Sequence, residues 1–321
     1  MKIQTILDQI DIGSIALPEF QRGYVWNRDQ VRNLMYSLYQ RHPVGSLLVW
    51  VTKSDTAVAR GDSELPLGHV KLLLDGQQRI TSLYGIVRGR PPKFFDGNEK
   101  AFLGLYFHLD DQIFEFYAPM KMEGNPLWIN VTDLMQNGVG KAIQKLIVIP
   151  ELSDKTSSYI ERINAINSIK DINLHIEEVT GEDKTVDIVV DIFNRVNSGG
   201  TKLSKGDLAL AKICAAWPDA RDEMKERLEK WQKVGFEFRL EWLLRCVNAI
   251  TTGEALFAAL KDVDTPAVQK GLSDAEKMVD KLLNLISSRL GLDHDRVLGS
   301  RYSFPLLARY LSTLIYKYGY I

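Results

Sequence analysis

The sequence predicts an α+β protein, a mixed α/β region followed by an all-helical one. Three observations lead to this. Two short apolar runs, residues 47–51 and 70–74, are bounded by turn formers in the manner of buried strands. Around them apolar residues recur at helical spacing. From about residue 133 the pattern is mostly helical, and beyond 205 helices alternate with short polar breaks. The switch near residue 200 is read as a domain boundary, with a first domain over 1–205 and a helical domain over 206–321.

The elements follow in order. Asn27 and Gln30 form a capping pair for a helix over 28–41, with Val31, Leu34, Met35, Leu38 and Tyr39 at helical spacing. Pro43-Val44-Gly45-Ser46 breaks the chain before the first strand, and the polar stretch 53–69 reads as a surface loop. The strand at 70–74 ends in Asp75-Gly76, and a helix opens at once with Ile80, Leu83, Tyr84 and Val87 on one face. Residues 101–109 and 112–118 form a hairpin turned at Asp110-Asp111. A strand over 172–179 interrupts the later helices. A helix at 183–196 then runs into Asn197-Ser198-Gly199-Gly200-Thr201, and Ser204, with Asp207 three residues on, caps the next one.

Composition narrows the function classes. The chain has 321 residues and a net charge of −1, so no global basic field marks a nucleic-acid binder, and any DNA contact must be local. Cys214 and Cys246, in apolar helical surroundings, read as core thiols of a reducing compartment. The amphipathic, soon acidic N-terminus is unlike a signal peptide. No apolar run approaches the roughly 20 residues that span a bilayer. The expectation is a cytoplasmic protein without membrane contact. His42, His69, His108, His175 and His294 are scattered without metal-ligand spacing, and His294 reads as a surface loop residue. Walker A, Gly-x-Gly-x-x-Gly, Gly-x-Ser-x-Gly and Cys-x-x-Cys patterns are absent.

Three segments carry chemistry, and each admits two readings. In the stretch from Leu17 to Trp26, Arg22 offers a planar fork of donors just before a helix N-terminus, which suits an anion. Tyr24 is expected to face a ligand and Trp26 the core. The same residues also serve as a hydrophobic staple with Arg22 paired to a local carboxylate. In Asp75-Gly76-Gln77-Gln78-Arg79-Ile80-Thr81, a glycine turn, first-turn N–H groups and the donors of Arg79 and Thr81 build a phosphate cradle without a Walker loop. Alternatively, Asp75 only caps the helix. The third segment, from Phe193 to Leu208, reads as a helix C-cap, a turn and an N-cap, with Arg195 and Asn197 as possible contributors to the same site.

Taken in order, the segments Pro18-x-Phe20-Gln21-Arg22-x-Tyr24-x-Trp26, Asp75-Gly76-Gln77-Gln78-Arg79 and Phe193-x-Arg195-x-Asn197-x-Gly199-Gly200-x-x-Leu203-x-x-x-Asp207 resemble the signature of the N-terminal domain of GmrSD-type, modification-dependent restriction proteins. The resemblance implies a ParB/sulfiredoxin-like fold that binds a nucleoside triphosphate, with Mg²⁺, in a cleft lined by these motifs. It also implies hydrolysis tied to the sensing or cutting of modified foreign DNA in phage defence. On this basis Asp75, Gln78 and Arg79 are candidate catalytic residues, and Gln21, Arg22, Tyr24, Gly76, Gln77 and Asn197 candidate nucleotide-binding ones. The residue-level reading adds Thr81 and Arg195 to the second group; no metal ligand is assigned. Sulfiredoxin chemistry needs a thiol beside the phosphate-binding arginine, whereas Arg79 follows glutamines.

Members of the family often carry a His-Asn-His-type nuclease domain after the helical region. The scattered histidines lead to the expectation that this chain alone does not cut DNA and works with a nuclease domain or subunit. The apolar run at 306–315 reads as an interruption, consistent with a fragment or a stand-alone subunit. Two other functions compete with the leading one. In the first, a DNA-binding ParB-like nuclease module uses the same arginines on backbone phosphates. In the second, the chain is an interaction scaffold with a vestigial cleft.

Overall fold

Ile3, Ile6, Leu7 and Ile10, spaced i, i+3, i+4, i+7, form the buried face of the first helix, α1 (Ile3–Asp11). In this computed structural model the residues described are all those other than 20, 22, 55–56, 58, 61–64, 182–183, 185, 197–204, 218, 255 and 320–321. The chain divides into two compact units, Met1–Phe193 and Asn194–Ile321. Among the described residues no helix is long and apolar enough to cross a membrane.

In the first unit, β1 (Ile15–Ala16) is followed by α2 (Arg28–Tyr39), whose capping box is complete: the Asn27 side chain accepts from the Gln30 N–H, and the Gln30 side chain accepts from the Asn27 N–H. Two apolar strands follow, β2 (Leu47–Lys53) and β3 (His69–Asp75), and then α3 (Gln77–Arg88). The hairpin expected around Asp110-Asp111 forms as β4 (Leu105–His108) and β5 (Ile113–Phe116). Next come α4 (Pro119–Met122), β6 (Trp128–Asn130), α5 (Val131–Asn137), α6 (Gly140–Ile147) and α7 (Thr156–Asn167). The strand expected over 172–179 is shorter, β7 (Ile176–Val179), because Ser168–Asp171 forms a 3₁₀ turn and Leu174 turns its N–H to the Met1 carbonyl. The helix α8 covers Val186–Val196.

Two sheets result. The larger has the order β1-β3-β2-β7, with β2 antiparallel to β3 and the outer pairs parallel. The smaller is antiparallel, in the order β5-β4-β6. The core draws on α1, α2, α3 and both sheets. Within it the rings of Tyr24, Phe95 and Phe102 meet at centroid distances of 5.3–5.8 Å, in the tilted and edge-on arrangements that aromatic quadrupoles favour.

The second unit holds α9 (Lys205–Ala216), α10 (Ala220–Lys233), α11 (Leu240–Thr252), α12 (Thr265–Leu290) and α13 (Ser303–Tyr318). Its core contains a set of rings in which Phe238 stacks on Trp242 at 3.8 Å and Trp231 and Phe304 flank the pair. The indole N–H groups are satisfied, Trp231 by Asp280 at 2.7 Å and Trp242 by the Arg301 carbonyl at 2.8 Å. Cys214 and Cys246 are both buried and form no disulfide among the described residues, and burial pushes the Cys246 thiol up, out of the reactive range. His294 is exposed and caps the short turn Asp295–Val297 through Nδ1.

The approach of α3 to the segment around Phe102 sets the position of the site described below. A Cβ on Gly85 would lie 2.1 Å from Phe102 Cδ2, so the helix seats only because position 85 has no side chain. Gly85→Ala is therefore expected to destabilise the protein by about 1–3 kcal/mol through overpacking, in spite of the roughly 1 kcal/mol that alanine contributes to helix propensity. Denaturant unfolding checks this; an unchanged or raised midpoint would refute the packing argument.

Candidate functional site

The site begins where β3 ends. Asp75 closes the strand, and Gly76 takes the left-handed conformation (φ +92°) as N-cap of α3. A Cβ there would sit 2.2 Å from Leu47 Cδ2, so position 76 needs glycine for both its dihedral and its closeness to β2. No side chain caps this helix start, which carries the positive end of the helix dipole.

Two consecutive side chains then reach in different directions. The Gln78 carboxamide oxygen accepts from the N–H groups of Val25 (2.9 Å) and Trp26 (3.2 Å), and its nitrogen donates to the Gly23 carbonyl (3.2 Å). The Arg79 guanidinium donates to the carbonyls of Val44 and Ser46 (2.8 Å to the latter) and to Asp75 Oδ2 (2.9 Å). Gly45, at φ +84°, lets this arginine cross: a Cβ at position 45 would stand 2.7 Å from Nη1. The Asp75–Arg79 pair is partly exposed, with 39% of the aspartate side chain and 15% of the arginine side chain accessible. Gln21 is buried and donates through Nε2 to the Leu74 carbonyl at 2.6 Å, fixing the 18–26 segment against the end of β3.

Tyr24 departs from the expected orientation, whereas Trp26 meets the core in part. Tyr24 is 6% exposed, and its hydroxyl lies 2.7 Å from Ser82 Oγ, which itself donates to the Gln78 carbonyl. Trp26 is only partly buried, packed at the edge of the core. The reason is a contact distant in sequence: the Tyr24 N–H bonds the Asp96 carbonyl at 2.6 Å, and the ring lies inward beside Phe95 and Phe102.

The motif residues are thus unequally placed. Asp75, Gly76, Gln77, Gln78, Arg79 and Gln21 converge at the junction of β3 and α3. Gln77 is 7% exposed. Gln78 has both ends of its amide engaged by backbone, which makes it a positioning residue. Thr81 is 1% exposed, and its hydroxyl has no partner among the described residues. Arg195 is exposed in the last turn of α8 and falls in the second unit. Arg22 and Asn197, with Ser204, lie outside the described residues.

One contributor has no signal in the sequence. Arg60 is 6% exposed and donates to the carbonyls of Gln21 and Glu19, with Asp96 3.9 Å away. It lies in the polar stretch read as a surface loop, and no periodicity marks a buried arginine whose partners are carbonyl oxygens. The bridge between Pro18 and Ala59 brings it there.

Residues 3–214 match the family described as GmrSD restriction endonuclease, N-terminal domain. The chain belongs to this family. The GmrSD match runs from α1 into α9 and includes the whole β3–α3 junction. An uncharacterised protein of Methanocaldococcus jannaschii is 26% identical over 240 residues, an alignment covering 63% of this chain and 39% of that protein. The chain therefore matches about two fifths of that curated relative's length.

Two outcomes follow for this GmrSD-type domain. Gln78→Ala is expected to cost about 2–4 kcal/mol, since it leaves two N–H groups and one carbonyl without their partner, and to raise amide exchange at Val25 and Trp26. Exchange rates equal to the parent would refute the clamp. Burial pushes the Tyr24 phenol up to about 12, with the Ser82 hydrogen bond offsetting part of the shift. A tyrosine that stays neutral longer when folded contributes stability below its unfolded value near 10, and that contribution is lost as pH rises through 10 toward 12. Tyr24→Phe should therefore flatten the alkaline fall in stability between those values. An unaltered profile in denaturant melts at graded pH would count against it.

Proposed function

We propose that this chain is the nucleotide-binding and nucleotide-hydrolysing sensor of a DNA restriction system that acts on modified DNA in phage defence. Under this proposal its first domain is ParB/sulfiredoxin-like, its setting is the cytoplasm, and strand cleavage falls to a nuclease domain or subunit. The observation that carries the reading is the β3–α3 junction, where Gly76 presents an uncapped helix start next to the accessible Asp75–Arg79 pair. A helix N-terminus and a guanidinium together favour a phosphate group. Three acceptors occupy Arg79, and a guanidinium has five N–H groups, so donors remain for a phosphate oxygen.

A magnesium ion fits this site through one protein carboxylate. Mg²⁺ commonly binds one or two carboxylates plus substrate phosphates, and Asp75 is the accessible carboxylate at the junction. Among the described residues no three His, Cys, Asp or Glu side chains form a metal cluster, so the nucleotide would supply the other oxygens. Bound there, the ion would neutralise phosphate charge. Arg79 and the N–H groups of α3 would hold the terminal phosphates, and Asp75 would orient Arg79. Gln78 and Gln21 would keep the 21–26 segment closed over the junction.

The test is titration of each nucleoside triphosphate with Mg²⁺ into the purified chain and into Asp75→Asn and Arg79→Ala variants. Arg79→Ala should weaken binding by about 1.5–3 kcal/mol, the scale of a charge-assisted hydrogen bond, and should also lower stability because it releases the loop at Val44 and Ser46. Asp75→Asn should lower turnover while the protein stays folded. Parent-like nucleotide affinity in a folded Arg79→Ala protein would overturn the site. Metal-dependent nicking of plasmid by the chain alone, lost in Asp75→Ala, would assign the junction to a nuclease instead.

A further inference from the structure

The outer face of the small sheet has an unusual composition. Along β4, Leu105 and Phe107 are fully buried, so Tyr106 and His108 take the opposite face. Tyr106 pairs with Asn130, and His108 with Trp128; directly opposed residues share a face. Glu115 of β5 lies opposite Tyr106 and is matched by Lys121 of α4 at 2.8 Å. On its other side Tyr106 faces Asn130. A cavity of about 540 Å³ opens between the sheet, α5 and α6, and its lining includes Tyr106, Asn130, Asp133, Asn137, Lys141 and Lys145.

Each of these offers something a ligand must complete. The Asn130 side-chain oxygen caps α5 by accepting from the Asp133 N–H at 3.0 Å, which leaves its NH₂ group for another partner. Lys141 and Lys145 stand one turn apart on α6, both exposed, and neither forms an ion pair among the described residues. Asp133 is the single acid of the lining. Tyr106 has one ring face near Tyr117, at 5.3 Å, and also borders the cavity. Together these make a ring for stacking, amide donors and a carboxylate acceptor for a base edge, and two ammonium groups for phosphate. The volume lies within the range of small-molecule sites. An acidic peptide would engage the lysines and leave the Tyr106 ring without a flat stacking partner.

We propose that this groove receives one unstacked nucleotide of a DNA strand, at a place distinct from the β3–α3 junction. The separation follows from α3 itself. A Cβ on Gly89, just past the end of that helix, would meet Gln136 Nε2 at 3.0 Å and Thr132 Cγ2 at 3.1 Å, so α5 packs at the end of α3 opposite Gly76. Twelve helical residues span about 18 Å. The inference rests on the DNA-acting part of the proposed function, not on nucleotide hydrolysis.

The experiment is fluorescence anisotropy with a labelled single-stranded oligonucleotide across a salt series, alongside nucleoside triphosphate titrations. The proteins are the parent chain, Tyr106→Ala and the double variant Lys141→Glu/Lys145→Glu. The exposed lysines can be changed without disturbing the core, so the double variant stays informative if Tyr106→Ala misfolds. The double variant should bind the strand at least roughly tenfold more weakly, with its salt slope reduced by about 1.4, the share of two phosphate contacts on single strands. Tyr106→Ala should weaken binding roughly tenfold and leave the slope unchanged, as loss of stacking does. Triphosphate affinity should be the same in all three. A parent that binds DNA and variants that bind it equally well would overturn the groove alone. A parent that binds no DNA would overturn the groove and the DNA-acting reading together, while absent triphosphate binding with the expected DNA pattern would overturn only the hydrolytic reading. Displacement of the strand by a polyglutamate peptide as readily as by unlabelled DNA would rule out nucleic acid as the occupant.

Discussion

The first turn of α3 holds the surrounding chain through side chains that bond to backbone. Gln78 binds three main-chain groups between Gly23 and Trp26, and Arg79 binds two carbonyls between Val44 and Ser46. Ordering such segments is opposed by their conformational entropy, of order 1–2 kcal/mol per residue. Both loops are held by one helix that is itself fixed between Leu47 and Phe102. Because the bonds go to main chain, they define where the loops run and leave the loop side chains free to vary. The candidate site is the surface these loops leave over Asp75 and Arg79, so its shape depends on the clamp before it depends on any ligand.

How legible this was in the sequence depends on the range of each interaction. The Asn27–Gln30 box and the strands around Leu47–Lys53 and His69–Asp75 are local patterns, and they appear as read. The two-residue strand Ile15–Ala16 escaped notice because it exists only by pairing with Lys71 and Leu72. The strand near Val179 was read too long because its first residues look apolar while their hydrogen bonds go to the N-terminus. For Gln21, Gln78 and Arg79 the residue types are visible in the sequence, but the partners they bond are not. A carbonyl oxygen and a phosphate oxygen are the same kind of acceptor to an amide or a guanidinium, so residue type alone does not separate a clamp from a cradle.

Tyr24 illustrates the same ambiguity in an aromatic residue. Its ring suits a base or a core equally, and the decision is made by one main-chain bond to Asp96. Once the ring is inside, the hydroxyl needs a partner, and Ser82 supplies it while remaining bonded to the Gln78 carbonyl. This chain of hydroxyls connects the core to the helix turn that carries the clamp. In the second unit, buried indoles solve the same problem with Asp280 and the Arg301 carbonyl.

The pairing of β2 with β7 also has a consequence for how the protein is made. Leu47 aligns with Ile176, the Met1 amine bonds the Leu174 carbonyl, and the Ile3 N–H bonds the Ile172 carbonyl. During synthesis α1 and the outer edge of β2, with Val49 and Trp50, emerge long before the residues that cover them. Until the ribosome has released the stretch up to Val179, a nascent chain carries an open strand edge, the feature that most readily recruits another chain. Contacts this distant in sequence also slow folding. Expression yield should therefore respond to translation speed and chaperone supply more than the modest size of the first unit would lead one to expect.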